Sequence, residues 1–551
     1  MFLLKNVFGS LIGIFGGMIM TRKVLSVINA LTNAGILAYV ENGKLKTKGP
    51  KANLTDELVS QIRTYKEELV AYLSSYRAHS SENDFALEKR GDKEADLSFS
   101  QYRLWLLDKM DGGSPQYNMA RVLCLDGVVD LKALEWSYST LVERHESLRT
   151  TFHDSENGPV QRVNPTTSIS IPVIDLSHLD ETEKEQRLNE EVSKENSKIF
   201  DLSRDVMLRA TIVKEGPRKS TLLFTMHHIA SDGWSIGLVM NELSNLYRAY
   251  LNGEDSPLPP LPVQYIDYSQ WQKKTLTDEL IENCSSYWKE ALNGIPDVHN
   301  IPSDYPRPPV RNYKGKTFHN RLSIKQTEGL RVLCQRQGAT LFMGLHAIFS
   351  ALISRYSNEG DVVIATPVAN REESGVSNLI GFFVNTLILR ADLSTPLSFN
   401  QLLEQCKTTT LNAYDHQQMP FEVLLDELKP NRSLSHNPLF QVMLVLQPVD
   451  LKEIPLPGVN VSFSERDSRI SLFDLTLNAT ETSEGLALEW EYSSEIFDLE
   501  TIKNLANHFV SFIENVIVSP ESIVQTVPYL HDVEKNALVD MAHGEVTTFE
   551  G

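Results

Sequence analysis

The chain is poor in cysteine, poor in positive charge and short of long apolar runs, and each shortage removes a class of function. Its 551 residues hold four cysteines, Cys124, Cys284, Cys334 and Cys406. They lie far apart and form no Cys-x-x-Cys pair, so no disulfide framework or zinc ribbon organises the fold, and a reducing cytoplasm suits them. Lys and Arg number 52 against 72 Asp and Glu, a net charge of −20. No basic stripe relieves that acidity, which argues against general nucleic-acid binding. The stretch that argues for a membrane is residues 7–20, between Lys5 and Arg22-Lys23. It falls short of the roughly 20 residues a span needs. A signal-peptide core is the alternative, but no clear small-residue cleavage site follows. Met18 and Met20 stand just before the first periodic segment, so the expected start is Met20, with 1–20 an over-extended reading frame. N-terminal sequencing that finds Met1 or Phe2 refutes this.

What is present suits a globular protein of several domains. The apolar share is 41%, and the length calls for two to four cores. Residues 21–75 form a small unit. Val24, Val27, Ile28 and Leu31 make a helical stripe that Gly35 ends. Residues 37–40 and 44–47 flank Asn42-Gly43, a strong hairpin signal. A second helix starts near Thr55, with Leu58, Ile62, Leu69 and Leu73 on one face. Lys44, Lys46, Lys48 and Lys51 give this acidic chain a local basic edge. Such an edge attracts an acidic peptide as an added strand, or is simply a solvated edge that lysines protect. Residues 76–95 are polar and charged and read as a linker.

Residues 96–530 alternate strand-like and helix-like segments, as two α/β halves near 96–271 and 272–530. Predicted helices cover 130–144, 235–250 and 340–356, and predicted strands cover 150–153, 221–226, 362–366 and 387–389. The strand at 221–226 (TLLFTM) runs into His227 and His228, then a turn at Asp232-Gly233. Imidazole at a strand end beside a loop suits proton transfer near neutral pH. The bland alternative is a structural pair. A shared metal fits poorly, because successive strand residues face opposite ways and no cysteine or carboxylate sits at ligand spacing.

Further stretches then converge. They are LSFSQYRLWLLDKM from Leu97, RHESLRTTF from Arg144, MHHIASDGW from Met226 and YIDYSQWQ from Tyr265. ATPVANR follows from Ala365, IGFFVNTLILR from Ile380, HQQMPFEVLLDEL from His416 and RSLSHNPLFQVML from Arg432. In this order and spacing, residues 96–530 resemble the condensation domain of nonribosomal peptide synthetases. Residues 35–73 resemble the tubulysin-type docking domains at the N-termini of some synthetase subunits. The tail, 531–551, resembles the linker before an adenylation domain, and no adenylation or carrier motif is present.

The resemblance implies an α/β fold of two chloramphenicol-acetyltransferase-like lobes in a V with a tunnel between them, preceded by a small helix–hairpin–helix domain. It implies peptide-bond formation between thioesters carried on phosphopantetheine arms. Donor and acceptor carrier domains bring these arms, and the chain binds no cofactor or metal of its own. The C-terminal peptide of an upstream subunit is the expected partner of the lysine edge. His228 is the implied base or positioning group. Backbone at Gly233 and Trp234 is a candidate oxyanion site. His227 is implied to be structural, and Asp232 to pair with Arg371, or failing that Arg149. Trp234, Ser235 and Asn385 are implied tunnel-lining residues. Two histidines where heterocyclisation domains carry aspartate, and the presence of HQxxPFE and NPLFQ, favour condensation. HHIASDGWS with SPQYNM resembles the class joining an L-donor to an L-acceptor. A stand-alone acyltransferase acting on a free amine or alcohol, and a non-catalytic recruiting domain, are the competing readings.

Overall fold

The computed structural model describes residues 37–41, 44–48, five positions between 58 and 69, 87–447 except 372, 374 and 432, 456–464, and 470–543 except 531. The N-terminal extension, the first helix expected at 22–34, Lys51, Leu73 and Arg432 lie outside the described residues.

In the small N-terminal unit, β1 (Leu37–Glu41) and β2 (Lys44–Lys48) pair antiparallel, with Glu41 opposite Lys44. The register leaves two residues for the turn, as Asn-Gly favours. Leu58, Ile62 and Leu69 are helical, and Leu69 is fully buried. Lys44, Lys46 and Lys48 take alternate positions on β2, and Lys46 is exposed.

The main body holds two large sheets. In chain order the first half contains β3 (Glu94–Asp96), α1 (Phe99–Asp111), β4 (Asn118–Gly127), α2 (Leu131–Arg144), β5 (Thr150–His153), β6 (Val160–Val163), β7 (Val173–Asp175), α3 (Glu181–Ser197), β8 (Leu208–Lys214), β9 (Lys219–His227), α4 (Gly233–Leu251) and α5 (Tyr265–Thr275). The second half contains α6 (Asp278–Ala291), β10 (Gly315–Ser323), α7 (Ile324–Arg336), α8 (Leu341–Ser357), β11 (Asp361–Val368), β12 (Asn385–Asp392), α9 (Phe399–Asp415), α10 (Phe421–Leu428), β13 (Val442–Gln447), β14 (Val459–Phe463), β15 (Leu475–Thr482), β16 (Gly485–Ser493), α11 (Leu499–Val518) and α12 (Asp532–His543).

The helices begin where capping chemistry places them. Ser98, Thr340 and Ser398 accept hydrogen bonds from first-turn N–H groups of α1, α8 and α9, which removes orphan donors. Asp130 caps α2 and Asp232 caps α4 in the same way.

The first sheet runs β14-β4-β9-β8-β7 and the second β10-β16-β15-β13-β11-β12; β3-β6-β5 form a small third sheet. The first core lies between β4-β9-β8 and the helices α2 and α4, around Leu134, Tyr138, Leu141, Phe224, Val239 and Leu243. The second surrounds Phe349, Trp490 and Phe509. One strand departs from the sequence-based boundary. Val459–Phe463 lies within the span read as the second lobe, yet it pairs antiparallel with β4 of the first, Val459 opposite Gly127 and Phe463 opposite Leu123. A single cut near 271 therefore does not separate the sheets. Gly127 carries φ +149, and a Cβ there would stand 2.3 Å from the Gly458 carbonyl oxygen, so only glycine admits the crossing strand.

Candidate active site

β9 is paired on both sides, with β4 and with β8, and ends at His227. His228 opens a one-turn 3₁₀ segment, His228–Ala230, rather than continuing the strand. The two rings therefore differ in environment for a reason beyond strand alternation. His227 is 1% exposed. Its Nδ1 accepts the Ile229 N–H at 3.2 Å, and its ring meets Phe200 edge-on at 5.6 Å. Burial pushes its pKa down to about 3, and the neighbouring His228 adds to that. It is a neutral structural group.

His228 keeps part of its surface open. The Phe382 ring stands edge-on to it at 4.7 Å. Its Nδ1 is enclosed and has no partner among the described residues, which leaves Nε2 to meet a substrate. Burial lowers its pKa, while the Asp232 carboxylate acts the other way. The net direction favours the neutral imidazole, the form able to accept a proton.

Asp232 is fully buried. Its Oδ1 accepts from Ser235 N at 2.8 Å, Ser235 Oγ at 2.7 Å and Arg371 Nη2 at 2.9 Å. Its Oδ2 accepts from Arg371 Nη2 at 3.0 Å and Phe383 N at 3.2 Å. A carboxylate so occupied is a structural anchor, not an acid. Arg371 also donates from Nη1 to the carbonyls of Val376 at 3.0 Å and Leu379 at 2.7 Å. Its guanidinium lies 4.1 Å from the Phe383 ring centre. One arginine thus ties the start of α4, in the first half, to the 376–383 loop of the second.

The geometry corrects three expectations from the sequence. Arg149 is not at this site. Its Nε donates to the Val142 carbonyl at 3.2 Å, and its other nitrogens reach Asn164, Glu143 and Glu146, so it closes the C-terminal end of α2. Ser235 does not line a tunnel, being fully buried with its hydroxyl shared among Asp232, Arg371 and Gly381. Asn385, the first residue of β12, does not line one either. Its Nδ2 donates to the Gln417 and Met419 carbonyls, both at 2.8 Å, and its Oδ1 accepts from Thr386 N and Phe421 N, both at 2.9 Å. Trp234 is partly open, with its indole N–H donating to the Ser377 carbonyl at 3.2 Å.

Gly233 and Trp234 occupy the first turn of α4, so their N–H groups have no intrahelical acceptor. Gly233 is exposed, and nothing lies within 4 Å of where its Cβ would be. The positive end of a helix is a favourable place for a developing oxyanion.

The loop bearing Phe382 has further supports that sequence reading did not single out. Ser147 Oγ donates to the Ile380 carbonyl at 2.7 Å. Ile380 N donates to His145 Nδ1 at 3.3 Å, which places the His145 proton on Nε2, 2.8 Å from Glu242 Oε2. Tyr265 OH donates to the Phe382 carbonyl at 2.7 Å and lies 2.9 Å from Ser98 Oγ. Ser98, His145, Ser147 and Tyr265 fall inside the stretches that carry the family resemblance, so the signal was there without the partners. Among the described residues, no group of three or more His, Cys, Asp or Glu side chains is placed to hold a metal. Among them too, no single helix is long and apolar enough to cross a membrane.

Known proteins share both parts of this chain. The condensation domain family matches residues 92–539, and the TubC N-terminal docking domain family matches 24–75. A component of linear gramicidin synthase from Brevibacillus parabrevis is 38% identical over 445 residues, which is 80% of this chain and 9% of that one. Malpinin synthetase of Mortierella alpina is 38% identical over 449 residues, 82% of this chain and 6% of that one. The chain thus spans less than a tenth of the length of either relative. Among solved structures, the X-domain in its complex with OxyB from teicoplanin biosynthesis superposes with a TM-score of 0.74 at 25% identity, covering 82% of this chain and 99% of that one. A four-domain nonribosomal peptide synthetase bound to AMP and glycine gives 0.72 at 24% identity, covering 83% of this chain and 35% of that one, and supports the fold. The chain belongs to the condensation domain family of nonribosomal peptide synthetases and carries a TubC-type docking domain ahead of it.

Proposed function

We propose that this chain forms a peptide bond between two carrier-bound substrates. A donor aminoacyl or peptidyl thioester and an acceptor amino acid arrive on phosphopantetheine arms of separate carrier domains and meet at His228. The acceptor amine attacks the thioester carbonyl carbon. The new C–N bond forms, the carbonyl oxygen takes negative charge beside the first-turn N–H groups of α4, and the C–S bond then breaks. The proton lost by nitrogen ends on the departing thiol. Neutral His228 accepts or orients that proton through Nε2. Asp232 and Arg371 hold the turn that presents the ring and take no proton. The observation that carries this reading is the partly exposed His228, held neutral by burial, five residues before exposed helix-start backbone at Gly233.

The docking domain brings the chain to the C-terminal peptide of an upstream subunit, with Lys44, Lys46, Lys48 and Lys51 facing acidic residues of that peptide. The preferred pairing is an L-configured donor with an L-amino acid. The test is a single-turnover reaction followed by intact-protein mass spectrometry, with loaded donor and acceptor carriers supplied in trans. A dipeptidyl mass on the acceptor carrier, lost in His228→Ala, supports the reading. Loss of the donor acyl group to water or to a free amine instead points to a stand-alone acyltransferase or hydrolase. The likeness to an X-domain solved with OxyB favours a recruiting role as the second reading. A donor carrier that keeps its acyl group, with no dipeptidyl product from either the unaltered chain or His228→Ala, would support that one.

A further inference from the structure

The second sheet has a face that its hydrophobic core does not claim. In β16, Leu486, Leu488, Trp490 and Tyr492 point into that core, so strand alternation sends Glu489 and Glu491 to the other face. Their cross-strand partners are polar as well: Asn478 and Thr476 on β15, His319 and Thr317 on β10. Arg121, from β4 of the first sheet, is within electrostatic reach of this row, where the charges of Glu489 and Glu491 support its guanidinium. Arg121, Glu489 and Glu491 all keep solvent-accessible surface. The row is therefore partly open to solvent, and β4 relates it to the active site. Asn118 of β4 pairs with His227, Arg121 stands about 10 Å further along the strand, and its charge acts on the His228 ring.

Among the described residues, the row is short of positive charge. Two carboxylates face one guanidinium, and His319 Nδ1 lies 4.0 Å from Glu489 Oε2. Asn478 Nδ2 donates to Glu489 Oε1 at 3.1 Å. Burial, then the charge of Glu489, push the Glu491 carboxyl up to about 7, with Ser471, Arg121 and the Leu472 backbone acting the other way. An independent observation points to a missing partner. Thr476, directly opposite Glu491, is 6% exposed, and its hydroxyl has no hydrogen-bond partner among the described residues. A buried hydroxyl beside an under-compensated carboxylate is the lining of a site for a donor-rich group.

We propose that Glu489, Glu491, Thr476 and Arg121 form a side-chain subsite for a substrate residue that ends in a cationic amino group. The carboxylates bind the ammonium, Thr476 Oγ1 accepts one of its hydrogen bonds, and Arg121 fixes the carboxylates in place. This rests on the condensation reading, which brings an amino-acid residue to His228; either the donor or the acceptor residue has the required chemistry.

The test is isothermal titration of the full chain with stable pantetheine amides of ornithine and norvaline, which share a three-carbon side chain with and without the terminal ammonium. Free α-amines report the acceptor arm and N-acetylated forms the donor arm. In one arm, ornithine binds at least about tenfold tighter than norvaline, and Glu489→Gln/Glu491→Gln brings the ratio close to one. Because both ligands are measured on the same protein, a general loss of binding cancels in the ratio. If the double variant binds neither ligand, Glu489→Gln and Glu491→Gln are read singly by the same ratio. Equal binding of the two ligands to the unaltered chain in both arms overturns the subsite, as does a ratio the variants leave unchanged. Failure of the condensation assay rejects the reaction and leaves this ratio measurable.

Discussion

Replacing Arg371 by methionine tests whether the buried Asp232–Arg371 pair is the latch between the two halves. Arg371 is 5% exposed and Asp232 fully buried. The change removes both guanidinium bonds to Asp232 and the bonds to the Val376 and Leu379 carbonyls. Removing one partner of a buried ion pair typically costs about 3–5 kcal/mol, because the other charge is left uncompensated. Here Asp232 keeps its bonds from Ser235 N, Ser235 Oγ and Phe383 N, which places the expected loss near the lower figure, about 3 kcal/mol. Urea unfolding followed by tryptophan fluorescence measures it. Trp234 is a local reporter, its ring centre 6.0 Å from the guanidinium carbon. The companion variant Asp232→Asn removes the charge that Arg371 compensates. If the pair acts as a unit, the double variant is less destabilised than the sum of the singles, by about 1 kcal/mol or more. A loss below about 1 kcal/mol in Arg371→Met, or strict additivity, would show that other contacts hold the halves and refute the latch.

Four further outcomes are expected. His228→Ala lowers the single-turnover rate by about 10²–10⁴-fold, the usual worth of a positioned proton acceptor, with an unchanged urea midpoint. His346 is fully buried in α8, both ring nitrogens lack a partner among the described residues, and burial holds its pKa at about 4. The unfolded chain protonates this ring below about 6.5 and the folded chain resists until about 4, so stability present at pH 7 is lost as pH falls through that window, by about 3 kcal/mol. His346→Leu should flatten the decline by that amount in urea titrations at pH 7 and pH 4. Gly381→Ala would place a Cβ 2.1 Å from the Tyr265 ring; overpacking should cost about 1–3 kcal/mol and slow turnover by displacing Phe382, read in the same two assays. Changing Lys44, Lys46 and Lys48 to Glu should abolish binding of an acidic C-terminal peptide from an upstream subunit, measured by fluorescence anisotropy at low salt, and leave single turnover with excess loaded donor intact.

Local features were the legible ones. Capping residues announced their helices: Asp130 and Thr340 stand at the starts of α2 and α8 as their side chains require. The apolar run into His227 announced β9, and Asn42-Gly43 announced the hairpin. What escaped was pairing over distance. The alternation of residues 459–463 says strand but carries no mark of which sheet it joins, and the answer, β4, lies more than three hundred residues earlier. His145 and Ile380 are separated by 235 positions, so a stretch containing either one gives no hint of the other.

Polar residues near the site were misread for a related reason. Ser235 and Asn385 look available in a sequence, since most of the partners that consume their hydrogen-bonding groups lie far along the chain. In the fold each satisfies backbone or ion-pair partners from the opposite half or from a distant loop. Lining and bracing call for the same residue types, and only the hydrogen-bond count separates them. That count also divides labour around the turn after β9. Asp232 accepts from Ser235, Arg371 and Phe383 and has no capacity left for substrate, whereas His228, four residues earlier, has an enclosed Nδ1 without a partner among the described residues and an open face. Chemistry at this turn therefore falls to the ring that the structure leaves unsatisfied, and the carboxylate beside it serves by holding the two halves against each other.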